Sequence, residues 1–132
     1  MRIDVLTLFP ALFEGPFTES ILRRAQEGGH VELYTHDIRE FSKDKHKRVD
    51  DYQFGGGAGM VMQIQPIADA IEHLKLQRDY EHIIYMTPDG ETLNQRIANS
   101  LSLSGNIIIL CGHYKGIDQR IRDHYITMEL SI

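Results

Sequence analysis

Short apolar runs alternate with amphipathic stretches along almost the whole chain, and this alternation is what most constrains the fold. An apolar run too short for a helix, with little polar alternation, reads as a strand covered on both faces. Residues 3–9, 31–34, 82–86 (HIIYM) and 106–111 (NIIILC) are such runs, and residues 125–130 form a last strand. Helical patterns lie between them. Residues 18–27 read as a helix with Thr18 as N-cap and Gly28-Gly29 as the stop. Across residues 65–79, Ile67, Ala70, Ile71 and Leu74 recur at the spacing that makes one buried stripe. Thr92 caps a helix carrying Leu93, Ile97 and Leu101 and ended by Gly105, and residues 117–124 form a short final helix. Five strands and four helices in alternation predict an α/β fold, a mostly parallel sheet flanked by helices.

A chain of 132 residues is one domain, long enough to bury a core without disulfides or metals. Its single cysteine, Cys111, excludes an intramolecular disulfide and suits a reducing, cytoplasmic setting. The opening MRIDVLTLFPALFEG is interrupted by Asp4, closed by Glu14 and followed by no cleavage site, so it reads as a first strand and a turn. No stretch approaches the ~20 apolar residues that cross a bilayer, and no membrane partner is expected.

The formal net charge is −5, against the basic footprint of a nucleic-acid binder. The local distribution differs from the sum. In REFSKDKHKR, Arg39, Lys43, Lys45, Lys47 and Arg48 face only Glu40 and Asp44, a segment that suits either a solvated loop or a salt-sensitive grip on phosphate. It belongs to a longer stretch, residues 37–62, that is polar, aperiodic and contains GGGAG. Connections of that length without structure of their own usually bind or cover something.

In α/β proteins ligands sit beyond the carboxyl ends of the strands. Two turns fall there, TPDG after the third strand and CGHYKG after the fourth. Gly90, Gly112 and Gly116 either serve tight turns or let a ligand approach the backbone. The GGGAGM run lacks the Lys-Ser/Thr pair of a phosphate loop, and no strand–GxGxxG–helix unit occurs, so a ligand without a phosphate chain fits better. The scattered histidines make no metal spacing, and no metal site is expected. Asp50 and Asp51, beside the glycine run, suit a base edge, a magnesium ion, a nearby lysine or plain loop solvation. Cys111 reads as a buried, inert thiol.

Taken together, LTLFPALF, KHKRVDDYQFGGGAGMVMQIQPI and CGHYKGIDQRI resemble the bacterial tRNA (guanine-N1)-methyltransferases, in order and over the whole chain. The resemblance implies membership of the knotted methyltransferase superfamily, with a C-terminal trefoil knot that periodicity alone does not give. It implies methyl transfer from S-adenosylmethionine to N1 of the guanosine 3′ of the anticodon in tRNA, with magnesium during catalysis. The donor would be held by Met86, Thr87, Pro88 and Gly90, by Cys111, Gly112, Tyr114 and Gly116, and by a third loop beginning at Ser131-Ile132. Asp50, Gly55, Gly56, Gly57, Gly59 and Lys115 would face the target guanosine. A homodimer sharing its active sites between subunits is implied as well.

The family pattern continues past Ile132 into a glycine-rich third loop and a helical tRNA-gripping domain, which carries the aspartate expected as general base. Residues 1–132 are therefore expected to be the donor-binding knotted domain, inactive alone, with Asp50 and Asp118 as the nearest substitute bases. Many relatives carry glutamate where Lys115 stands, so that position's role does not transfer; lysine suits a tRNA phosphate or Asp50. A non-catalytic RNA- or protein-binding module is the rival reading. A knotted enzyme acting on ribose 2′-hydroxyls is a third, disfavoured by the VDD and GGGAGM segments.

Overall fold

A computed structural model describes residues 1–52, 60–113 and 116–132. In chain order its elements are β1 (Arg2–Thr7), α1 (Ala11–Phe17), α2 (Ser20–Glu27), β2 (Glu32–Asp37), a 3-10 turn (Ile38–Phe41), β3 (Asp50–Tyr52), β4 (Met60–Met62), α3 (Ile64–Lys75), β5 (His82–Thr92), α4 (Gln95–Leu101), β6 (Asn106–Cys111), α5 (Gln119–His124) and β7 (Met128–Ser131). Five strands form one sheet in the order β2-β1-β6-β5-β7, every neighbouring pair parallel. The expected α/β class is observed.

Both faces of the sheet are apolar because the central strands carry almost no polar alternation. On one face Leu6, Ile83, Tyr85, Ile108 and Leu110 pack with Ile67, Ile71 and Leu74 of α3 and with Ile121 of α5. On the other, Ile84, Ile107 and Leu130 meet Ile97 of α4. The helical stripe read from the sequence is the buried face of α3: Ile67, Ala70 and Ile71 are 0 % exposed. Burying each such isoleucine stabilises the fold by about 1.5–3 kcal/mol.

Several elements differ from the sequence reading. The stretch after β1 is no simple turn: Pro10 opens α1, and proline is well accommodated at a helix start, where its missing N–H costs nothing. Thr18 closes α1 rather than capping α2, its hydroxyl donating to the Glu14 carbonyl at 2.9 Å. Residues 37–62 are not wholly irregular, since β3 and β4 pair as an antiparallel hairpin. Asn94, not Thr92, caps α4 by accepting from the Ile97 N–H at 2.9 Å. β5 does not stop at Met86 but resumes beyond Gly90.

One polar group sits inside the apolar frame. Asp4 is 0 % exposed. Its carboxylate accepts from Arg2 at 3.0 and 3.1 Å and from the Tyr80 hydroxyl at 2.6 Å, and it pairs with His36 Nε2 at 2.7 Å. Burial pushes the carboxyl upward, but the hydrogen bonds from His36, Arg2 and Tyr80 outweigh it and hold the group well below the usual carboxylate range. The network joins β1, β2 and the entry to β5, and the Arg2 guanidinium lies 3.9 Å from the Tyr34 ring centre.

Removing one member of a buried ionic network strands the others. Asp4→Ala is therefore expected to cost about 3–5 kcal/mol, read by urea unfolding. Because the folded value is depressed, this contribution is present above the unfolded carboxyl pKa of about 4 and is lost as pH falls below it. Asp4→Asn should flatten the acid limb of stability against pH; an unchanged limb would show that other carboxylates set it.

Candidate functional site

The carboxyl ends of β5, β6 and β7 lie side by side, and the site grows from how β5 and β7 share their last pairings. Met86 pairs with Leu130, and so does Glu91. Residues 87–90 are thus looped out of the ladder between two pairings to one partner, as in a large bulge. Gly90 makes this possible. A Cβ there would lie 2.7 Å from the Leu130 nitrogen and 2.8 Å from the carbonyl carbons of Glu129 and Leu130. The glycine serves backbone-to-backbone contact with β7, a different use from the open turn expected of TPDG. Beyond it, the Leu93 N–H donates to the Ser131 carbonyl at 2.8 Å.

Two clefts flank the start of the loop. One of about 380 Å³ is lined by Met86, Thr87, Pro88, Cys111, Leu130, Ser131 and Ile132. The second, about 250 Å³, is lined by Tyr85, Met86, Thr87, Pro88, Gly112, His113 and Gly116. Gly112 is pressed against the buried Tyr85 ring: a Cβ would lie 2.8 Å from Tyr85 Cε1 and 2.9 Å from its hydroxyl. Gly116 adopts φ +120, a conformation side chains resist. Burial pushes the Cys111 thiol up, which agrees with an inert role.

The hairpin of the long polar segment docks beside these clefts. The Met62 N–H donates to the Gly116 carbonyl at 3.0 Å, and Met62 bridges Ile117 in parallel fashion. Asp50 sits on β3, half-buried, 3.5 Å from Arg48. The basic run preceding it is folded into a turn by Asp44, whose carboxylate accepts from the His46 and Arg48 N–H groups at 2.8 and 3.2 Å.

The structure brings together Met86, Thr87, Pro88, Cys111, Gly112, Gly116 and Ile132, seven of the residues expected to hold the donor. Gly90 stands behind them, against β7. Tyr114, Lys115, Gly55, Gly56, Gly57 and Gly59 lie outside the described residues. Asp118 does not suit a general base: it caps α5, and the hydrogen bond from Arg120 holds its carboxyl low. Tyr85, Leu130 and Arg122 were missed. Tyr85 and Leu130 read as ordinary core, and only the fold turns them toward the clefts. Among the described residues no three His, Cys, Asp or Glu side chains gather as a metal set, and no helix is long and apolar enough to cross a membrane.

A parallel α/β sheet with clefts beyond its strand ends is the arrangement that suits a small organic ligand at that edge. The comparisons narrow the class. A family model described as tRNA (Guanine-1)-methyltransferase TrmD matches residues 1–132, and the chain belongs to that family. It is 63% identical over 132 residues to a tRNA (guanine-N(1)-)-methyltransferase of Flavobacterium psychrophilum and 58% identical to one of Bacteroides fragilis, covering 100% of this chain and 59% of each relative. A crystal structure of tRNA (m1G37) methyltransferase from Aquifex aeolicus is similar with a TM-score of 0.91 and 36% identity, again over 100% of this chain and 59% of that one. The chain thus spans about 59% of the length of these relatives.

The close approach at Gly90 yields a direct test. Gly90→Ala forces backbone to move and should cost about 1–3 kcal/mol, seen as a lowered urea midpoint. An unchanged midpoint would mean that the loop yields freely and is not held by β7.

Proposed function

We propose that the protein carrying this chain transfers a methyl group from S-adenosylmethionine to N1 of the guanosine 3′ of the anticodon in tRNA. The observation that carries this reading is the convergence of residues 86–88, 111–113, 116 and 130–132 on adjoining clefts at one sheet edge. Their lining fits an adenosyl group. Met86, Pro88, Leu130 and Ile132 offer apolar surface to a purine, while Gly112 presents bare backbone where it lines the second cleft. S-adenosylmethionine, when bound, supplies an electrophilic methyl group on a sulfonium sulfur.

This chain's residues orient and enclose. Tyr85 sets the depth beneath Gly112, and Met86, Thr87 and Pro88 form the wall shared by the two clefts. The β3–β4 pair anchored on Gly116 brings Asp50 toward the same edge, where the target guanine would enter. Guanine N1 carries a proton that must leave as the methyl group arrives. The base for that step is expected from the family's aspartate outside residues 1–132, since Asp118 is held by Arg120.

The finer parts of the reading rest on separate supports. A trefoil path is supported by the family match and by the likeness to the Aquifex aeolicus methyltransferase structure. A homodimer is supported by α1 and α2, which bury none of their residues and leave Leu12 and Ile21 72% and 71% exposed. tRNA contact is supported by the basic turn at residues 43–48; a cytoplasmic setting and magnesium during catalysis belong to the same reading.

Titration of S-adenosylhomocysteine by calorimetry is expected to show saturable binding that Gly112→Val abolishes, because the valine collides with Tyr85. No binding by either this chain or the full-length protein would favour the non-catalytic module instead. In the full-length protein, Lys115→Glu should weaken tRNA binding more than donor binding; an equal loss of donor affinity would place Lys115 on the donor.

A further inference from the structure

One side chain, outside the motifs that carry the family resemblance, ties β7 to the loop after Met86 and lies near the Tyr85 ring beneath the clefts. Arg122, on α5, makes a two-pronged pair with Glu129 of β7, Nε to Oε1 at 2.9 Å and Nη2 to Oε2 at 2.5 Å. The same Nη2 reaches Asp89 Oδ2 at 3.4 Å, and Asp89 also accepts from the Thr87 hydroxyl. The guanidinium carbon lies 5.3 Å from the centre of the Tyr85 ring, the ring that Gly112 and Gly116 adjoin.

We propose that Arg122 is a positioning residue that locks the 87–90 loop and the end of β7 into the shape an adenosyl ligand needs. The proposal rests on the methyl-transfer reading and extends it to a residue that need not contact the donor. The geometry calls for arginine in particular. Only a planar fork can engage a carboxylate with two N–H groups while its face lies on an aromatic ring, and lysine offers a point charge instead. The burial of the partners differs in a useful way. The Arg122 side chain is 21% exposed and Glu129 33%, so their pair is sheltered; Asp89 is 68% exposed, so its contact adds little to global stability. What the Asp89 contact does is choose among loop conformations. Thr87, drawn toward Asp89, is thereby fixed in both clefts.

The test uses the full-length protein, S-adenosylhomocysteine as probe, and three variants, Arg122→Lys, Arg122→Met and Asp89→Asn. Both arginine variants should raise the Kd by about tenfold and speed amide exchange at residues 87–90 in the ligand-free protein. Asp89→Asn should raise the Kd by a smaller factor at an unmoved thermal midpoint, a split that a merely structural role does not give. Combined with Arg122→Met it should add nothing further, because both changes break one device. Wild-type affinity in Asp89→Asn, or effects that multiply in the double variant, would overturn the proposal. So would full rescue by Arg122→Lys, since charge alone would then suffice. Failure of the unaltered protein to bind would instead remove the methyl-transfer reading, and the proposal with it.

Discussion

The parallel ladder between β1 and β6 is the contact on which the other elements depend, because both strands are interior to the sheet and, apart from the buried Asp4 network, apolar where they meet its layers. Ile3 stands beside Ile107, Val5 beside Ile109 and Leu6 beside Leu110. Such a pair has no face to give to water, so helices must cover it on each side. α3 and α5 take one side and α4 the other. Parallel pairing also gathers all the strand carboxyl ends at one edge, and the loops that follow β5 and β6 meet there without further instruction.

What distinguishes this edge is economy of side chains. The loop after Met86, the turn after Cys111 and the end of β7 approach so closely that Gly90 and Gly112 leave no room for a methyl group. Surface built this way presents peptide groups and a few apolar side chains, which suits recognition of a compact, phosphate-free ligand better than of a polyanion. The polar loop docks through the Met62 N–H onto the Gly116 carbonyl and through the buried Val49 and Met62 side chains.

Much of this was legible in the chain. The 106–111 run became β6 residue for residue, because an unbroken apolar run has only one comfortable place in an α/β frame. The stripe of α3 was equally plain. α1 was not, since Gly15 and Pro16 argue against a helix locally and no buried face advertises it. β5 was cut short at Pro88 because the pairings that resume it at Glu91 and Thr92 belong to a strand some forty residues later. The glycine turns were found by type and position. Arg122 was invisible for a related reason: in a line of text it is one charge among several on a short helix. Its partners Asp89 and Glu129 meet it only once β5 and β7 are neighbours.

The strand order also has a consequence for how the chain is made. β1 finds one neighbour at once, in β2, but its other neighbour spans residues 106–111. At a synthesis rate of 5–20 residues per second, the roughly 70 residues between them leave the second edge of β1 open for about 4–14 s. During that time the nascent chain carries a two-stranded ribbon with an unsatisfied edge, a template for pairing with any other chain. The half-made chain, and not the finished domain, is the species in greatest need of shelter.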